Sequence, residues 1–177
     1  MIRILLIFLG YISLTICFLS SPLAAQRDFS EFSLDLPEGW DGDERSGFTS
    51  GDRNEYMLVL GKKDPEGDHY LAHISLFFLP NKPGKTALES AKTLAQSQAE
   101  ATEPTQEGVF WVFTGDPRDN VLKGRGKTRV AANEESLLII IVKDPGQTGA
   151  DSILDSLTPR SERAKKLLLS QNISEKK

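Results

Sequence analysis

The chain has 177 residues, a formal charge of −4 and no strongly basic balance, which excludes the electrostatic footprint of a nucleic-acid binder. Its one cysteine, Cys17, lies among the first 25 residues, so the rest of the chain carries no thiol chemistry, cysteine-based metal site or redox centre. The charge is uneven. Asp28, Glu31, Asp35, Glu38, Asp41, Asp43 and Glu44 make one end acidic, while Arg160, Arg163, Lys165, Lys166, Lys176 and Lys177 make the other basic.

Residues 1–25 follow the plan of a secretory signal peptide: Arg3, an apolar run over 4–19, then Ser20-Ser21-Pro22-Leu23-Ala24-Ala25. Cleavage is expected after Ala25, although Leu23 is larger than the usual residue three positions back. The alternative is a retained anchor, but at ~1.5 Å per residue the run reaches ~24 Å, short of a ~30 Å hydrocarbon core. Lipidation of Cys17 is disfavoured by the bulky Ile16 before it. Removing 25 residues from 177 leaves 152, enough for one domain that buries ~68–70% of its unfolded surface. The expected organisation is a signal peptide over 1–25, a single domain over 26–159 and a basic helix or frayed tail over 160–177.

In chain order, residues 32–36 alternate as a half-buried strand, and Pro37-Glu38-Gly39-Trp40 reads as a turn with Trp40 an anchor. Residues 42–54 read as loop, with a short strand at Phe48. Residues 56–60 and 70–79 are expected strands, joined through Asp64-Pro65-Glu66-Gly67-Asp68 as an antiparallel hairpin. Thr86-Ala87-Leu88-Glu89 has capping-box spacing, so an amphipathic helix is expected over 87–101, with Pro104 at its exit. Residues 109–113, 121–132 and 137–142 are further expected strands, with Asp116-Pro117-Arg118-Asp119-Asn120 a turn. Residues 148–157 form a last helix.

The run Leu137-Leu138-Ile139-Ile140-Ile141-Val142 leaves neither face of its strand polar, and residues 57–60 and 109–113 carry the same two-sided signature. A largely antiparallel sheet buried on both faces needs two covering layers, and the two helices are the available material. The expected fold is an α/β/α sandwich whose mostly antiparallel central sheet is covered by helices on both faces.

Catalytic signals are sparse. His69 and His73 lie four apart in a strand pattern, ~13 Å end to end, too far to share an ion held at ~2.0–2.1 Å. Asp64, Glu66 and Asp68 lack the length and glycine of a calcium loop. Gly124-Arg125-Gly126-Lys127-Thr128 lacks the first glycine of a phosphate loop and sits in a strand pattern. No catalytic, cofactor or metal residues are assigned. The sharpest local signal is Lys123, Arg125, Lys127 and Arg129, which period 2 sets on one strand face as a basic stripe ~20 Å long. It offers an anion or partner contact, or it guards an edge strand against pairing.

Leu34-Asp35-Leu36-Pro37-Glu38-Gly39-Trp40 after a strand, a central Ala-rich helix, further strands and a last helix ending Ile153-Leu154-Asp155-Ser156-Leu157 together resemble the PsbP/DcrB-like family. The resemblance covers about residues 29–157 and implies an accessory or adaptor role without catalysis. The expected function is an exported, non-enzymatic accessory protein of the bacterial cell envelope, periplasmic or secreted after cleavage. Its partner is expected to be a protein or other envelope component, with no nucleic acid and no cofactor, and the basic C-terminal segment offers a membrane contact. Two alternatives stay open: a small-ligand or lipid carrier with an apolar pocket, and a hydrolase built from scattered Asp, Glu and Ser.

Overall fold

The computed structural model describes residues 24–48, 51–67, 69–117 and 122–170. Residues 1–23 of the expected leader, Cys17 among them, Asp68, turn residues 118–120, Val121 of the expected strand and residues 171–177 of the expected tail lie outside them. In chain order the elements are β1 (Ala25–Asp28), β2 (Phe32–Leu36), β3 (Trp40–Ser46), β4 (Tyr56–Lys63), β5 (Tyr70–Pro80), α1 (Ala87–Gln96), β6 (Thr105–Glu107), β7 (Phe110–Gly115), β8 (Gly126–Ala132), β9 (Ser136–Lys143), α2 (Ala150–Asp155), β10 (Thr158–Pro159) and α3 (Glu162–Ser170).

Two antiparallel sheets result: seven strands in the order β3-β4-β5-β9-β8-β7-β6, and three in the order β1-β2-β10. Strict alternation sends Leu58, Leu60, Ile74, Leu76, Phe78, Leu138 and Ile140 to one face of the large sheet. There they meet Phe32, Leu34 and Leu36 of β2, together with Ile153 and Leu154 of α2 and Ala164 and Leu167 of α3. All of these are buried. We call this the inner face. Arg163 holds α3 down by donating to Glu31 Oε1 at 2.9 and 2.6 Å while its guanidinium lies 4.3 Å from the Phe78 ring centre. Burial, with the Glu44 carboxylate nearby, pushes the Tyr56 phenol up, so it stays protonated inside this core.

This architecture corrects the α/β/α expectation. The inner face is covered mainly by a second sheet, with two short helices at its flanks, and the outer face carries α1 alone among the described elements. The capping box at Thr86 and Glu89 forms as the spacing demands, but α1 has only 10 residues. At ~10–12 Å across, it spans about two strands set ~4.8 Å apart. It therefore cannot roof seven.

The second sheet was hidden because its outer strands carry no hydrophobic pattern. β1 (Ala-Gln-Arg-Asp) is exposed throughout, yet it pairs with β2 from Ala25↔Leu36 to Asp28↔Ser33. Residues 42–46, within the expected loop over 42–54, carry no hydrophobic pattern either, yet with Trp40 and Asp41 they form β3, the exposed edge beside β4. Gly42 is required there, since a Cβ would sit 2.5 Å from Leu60 Cδ2 and 3.0 Å from the Phe29 ring. Phe48, expected as a short strand, is irregular.

Candidate functional site

The outer face is built from cross-strand rows that run the width of the sheet. One row is Met57–Phe77–Ile139–Val130–Trp111, and the next is Val59–Ser75–Ile141–Thr128–Phe113. Within β4, β5, β9, β8 and β7 both rows are dominated by apolar residues, but at the sheet edges the first ends on Arg45 of β3 and Gln106 of β6 and the second on Asp43 of β3. Their covering is not uniform. Under α1, Val130 and Phe113 are 0% and 2% exposed and pack against Ala91, Ala95 and Leu94. Over β4, β5 and β9, Met57, Val59, Ser75, Phe77, Leu79 and Ile141 are only half-buried. The sequence expectation that β4 and β9 are buried on both faces is therefore met on the inner face, whereas on the outer face Ile139 is buried and Met57, Val59 and Ile141 are only partly covered.

Two features frame this open half. At one side, Phe48 brings its ring 6.0 Å from Phe77, on a segment tied by Gly47 N–H to Glu55 O and by Lys82 to Asp52 at 3.3 Å. At one end, His73 and Lys143 face each other as register partners. Lys143 is 1% exposed. Its ammonium donates to Pro117 O at 3.4 Å and to Leu122 O, and it lies 3.8 Å from the Asp116 carboxylate. A buried ammonium is tolerated only with such partners. Gly126 gives it room, because a Cβ there would lie 3.1 Å from Lys143 Cγ and 2.8 Å from Val142 O.

The basic stripe is partly assembled. β8 begins at Gly126, later than the expected strand over 121–132, and Gly124 at φ +102° breaks the extended run before it. Lys123 is thus exposed outside the strand. Arg125 donates to Thr114 Oγ1 at 3.1 Å and to the Glu100 carbonyl at 3.2 Å. Lys127 pairs with Glu107 at 3.1 Å, and Arg129 with Asp151 at 2.7 Å. Arg125 and Lys127 border a shallow cleft of about 260 Å³ that also holds Asp144 and Asp151. Three of the four cations therefore have carboxylate neighbours, since Arg125 also lies 3.8 Å from Glu100. Val130 does face the opposite, buried side.

The histidines part company. His69 is exposed and pairs with Asp64 at 3.1 Å, whereas His73 is buried with its Nδ1 3.4 Å from Ser75 Oγ. Asp144 is structural. Although burial pushes its carboxyl up, donors at Thr148, Gly149 and Ala150 hold it below its ordinary value, and it caps the approach to α2. Sequence reasoning recognised the open half only as a core strand. The two-sided apolar run was the signal, and it states that both faces are apolar, not that both are covered. Comparison with protein-family models, curated proteins and solved structures gives no match for this chain.

Proposed function

We propose that the protein is an exported, non-enzymatic accessory protein of the bacterial cell envelope, and that it binds a partner through the open half of its outer face. The observation that carries this reading is the contrast along single cross-strand rows, which are buried beneath α1 and at Ile139 but only partly covered at Met57, Val59, Phe77 and Ile141. A contiguous apolar face on an otherwise charged protein marks an interaction surface. Export rests on the leader pattern of residues 1–25, and the accessory role is what the PsbP/DcrB-like resemblance implies. The filled inner core supports docking over carriage of a lipid inside the fold.

The test combines two substitutions on the open half, Val59→Lys and Ile141→Lys, made in the mature protein. Partner recovery from envelope extract should be lost while the melting temperature holds. Unchanged recovery contradicts the assignment of this face. Export is checked separately by mass spectrometry, which should find a terminus at Gln26 or within a residue or two of it; an intact Met1 in membrane fractions contradicts cleavage.

Lys123, Arg125, Lys127 and Arg129 are proposed as a second, electrostatic contact, supported by the open cleft beside Arg125 and Lys127. Its attraction is weakened by Glu100, Glu107 and Asp151 and is sensitive to salt.

A further inference from the structure

α1 divides the outer face, and the side away from the open half holds a separate cleft. It lies between the first turn of α1, the β6–β7 hairpin and the β8–β9 turn, and has a volume of about 370 Å³. That is at the small end of ligand sites, which run ~300–1,000 Å³ and combine apolar walls with a few fixed polar groups. Leu88, Val109 and Trp111 supply the apolar lining, while Gln106, Asn133, Glu134, Lys85 and Thr86 supply the polar part. The register sets Gln106 directly opposite Trp111, so an amide and an indole sit side by side on one face.

Two of the polar groups are held in place before any ligand arrives. Asn133 Oδ1 accepts the backbone N–H groups of Glu135 at 3.0 Å and Ser136 at 2.8 Å. Gln106 Nε2 donates to the Gly108 carbonyl at 3.3 Å. Fixed amides lose little freedom on binding, which favours recognition of a polar ligand. Trp111 is only half-buried, standing between Val130, which α1 closes off, and Gln106, which is exposed.

We propose that this cleft binds a neutral hydroxylated ring, a saccharide unit, against Trp111. Such a ring has an apolar C–H face to lie on the indole and hydroxyls that both donate and accept. The donors answer the Glu134 carboxylate and the Gln106 amide oxygen, and the acceptors answer the side-chain amide N–H groups. Lys85 and Glu134 both line the cleft with opposite charges, which gives no net pull on an anion or a cation, and a flat apolar ligand leaves the polar groups unpaired at a cost. The site is independent of the partner-binding face, because α1 stands between them.

The test uses the full-length mature protein with glucose, N-acetylglucosamine and indole as probes, read by saturation-transfer NMR on the probe and by tryptophan emission. The expected result is saturable sugar binding in the millimolar range. Trp111→Ala abolishes it, Glu134→Gln and Gln106→Ala weaken it about tenfold, and Ile141→Lys leaves it unchanged. Glu134 and Gln106 are exposed, so their variants remain informative if Trp111→Ala fails to fold. Non-saturating sugar response, or equal binding in the Glu134 and Gln106 variants, overturns the proposal. Tighter binding of indole than of either sugar overturns the saccharide assignment.

Discussion

The two halves of the outer sheet face have the same chemistry and different fates. Beneath α1, Phe113 and Val130 are closed off by Ala91 and Ala95. A few strands away in the same rows, Met57, Phe77, Val59 and Ile141 have no helix over them among the described residues and remain partly exposed. An apolar strand face shows that a side of the sheet can be buried, not what buries it; on the proposed reading a partner supplies the layer that α1 does not reach. Burial under α1 contributes to folding; the open half leaves the same gain to be realised on association.

That comparison can be broken with paired substitutions. Phe113→Ala, under α1, should cost ~3–5 kcal/mol in chemical denaturation, whereas Phe77→Ala on the open half should cost about 1 kcal/mol. Equal costs mean that the halves do not differ in covering. Adjacent residues sharpen the contrast further. Ile140 is 1% exposed on the inner face, and Ile141 is half-buried on the outer. Ile140→Ala should cost ~2–5 kcal/mol and Ile141→Ala clearly less. Thr86→Ala removes the side chain that accepts from Glu89 N–H and should loosen α1 by ~1 kcal/mol.

A smaller effect depends on pH. Hydrogen bonds lower the Asp144 pKa relative to the unfolded chain, so its contribution is fully present above the ordinary value of 3.8 and is lost as pH falls through the lowered one. Thermal melts of Asp144→Asn should therefore show a shallower loss on acidification than wild type. The smallest expected change is in the stripe: Arg125→Glu with Lys127→Glu should alter stability by about 0.5 kcal/mol or less, since both are surface positions. Partner recovery that survives both this reversal and high salt reduces the stripe to a solvated edge.

How much of this was legible in the sequence depended on position in the sheet. Central strands announced themselves, because Leu58, Ile74, Leu76 and Ile140 alternate or run apolar, and the β4–β5 hairpin and the α1 capping box followed local rules. The strands that were missed, β1, β3, β6 and β10, are all edges. An edge strand is held by backbone hydrogen bonds along one side and needs no buried face, so Asp41, Asp43 and Glu44 give no periodic signal. Without those edges the second sheet was invisible, and helices were asked to cover what β2 and its neighbours cover. The stripe was overextended for a related reason: period 2 was carried back through Gly124, where the backbone leaves the extended region.

The central claim is that a partner occupies the open half of the outer face. It is tested most directly by site-specific photo-crosslinking in intact cells, with the reactive residue placed at Val59 or Ile141 and, as a control on a different surface, at Lys92. Positions 59 and 141 should each give one discrete adduct, and position 92 none. Adducts of equal yield from all three positions, or none from 59 and 141, contradict the claim.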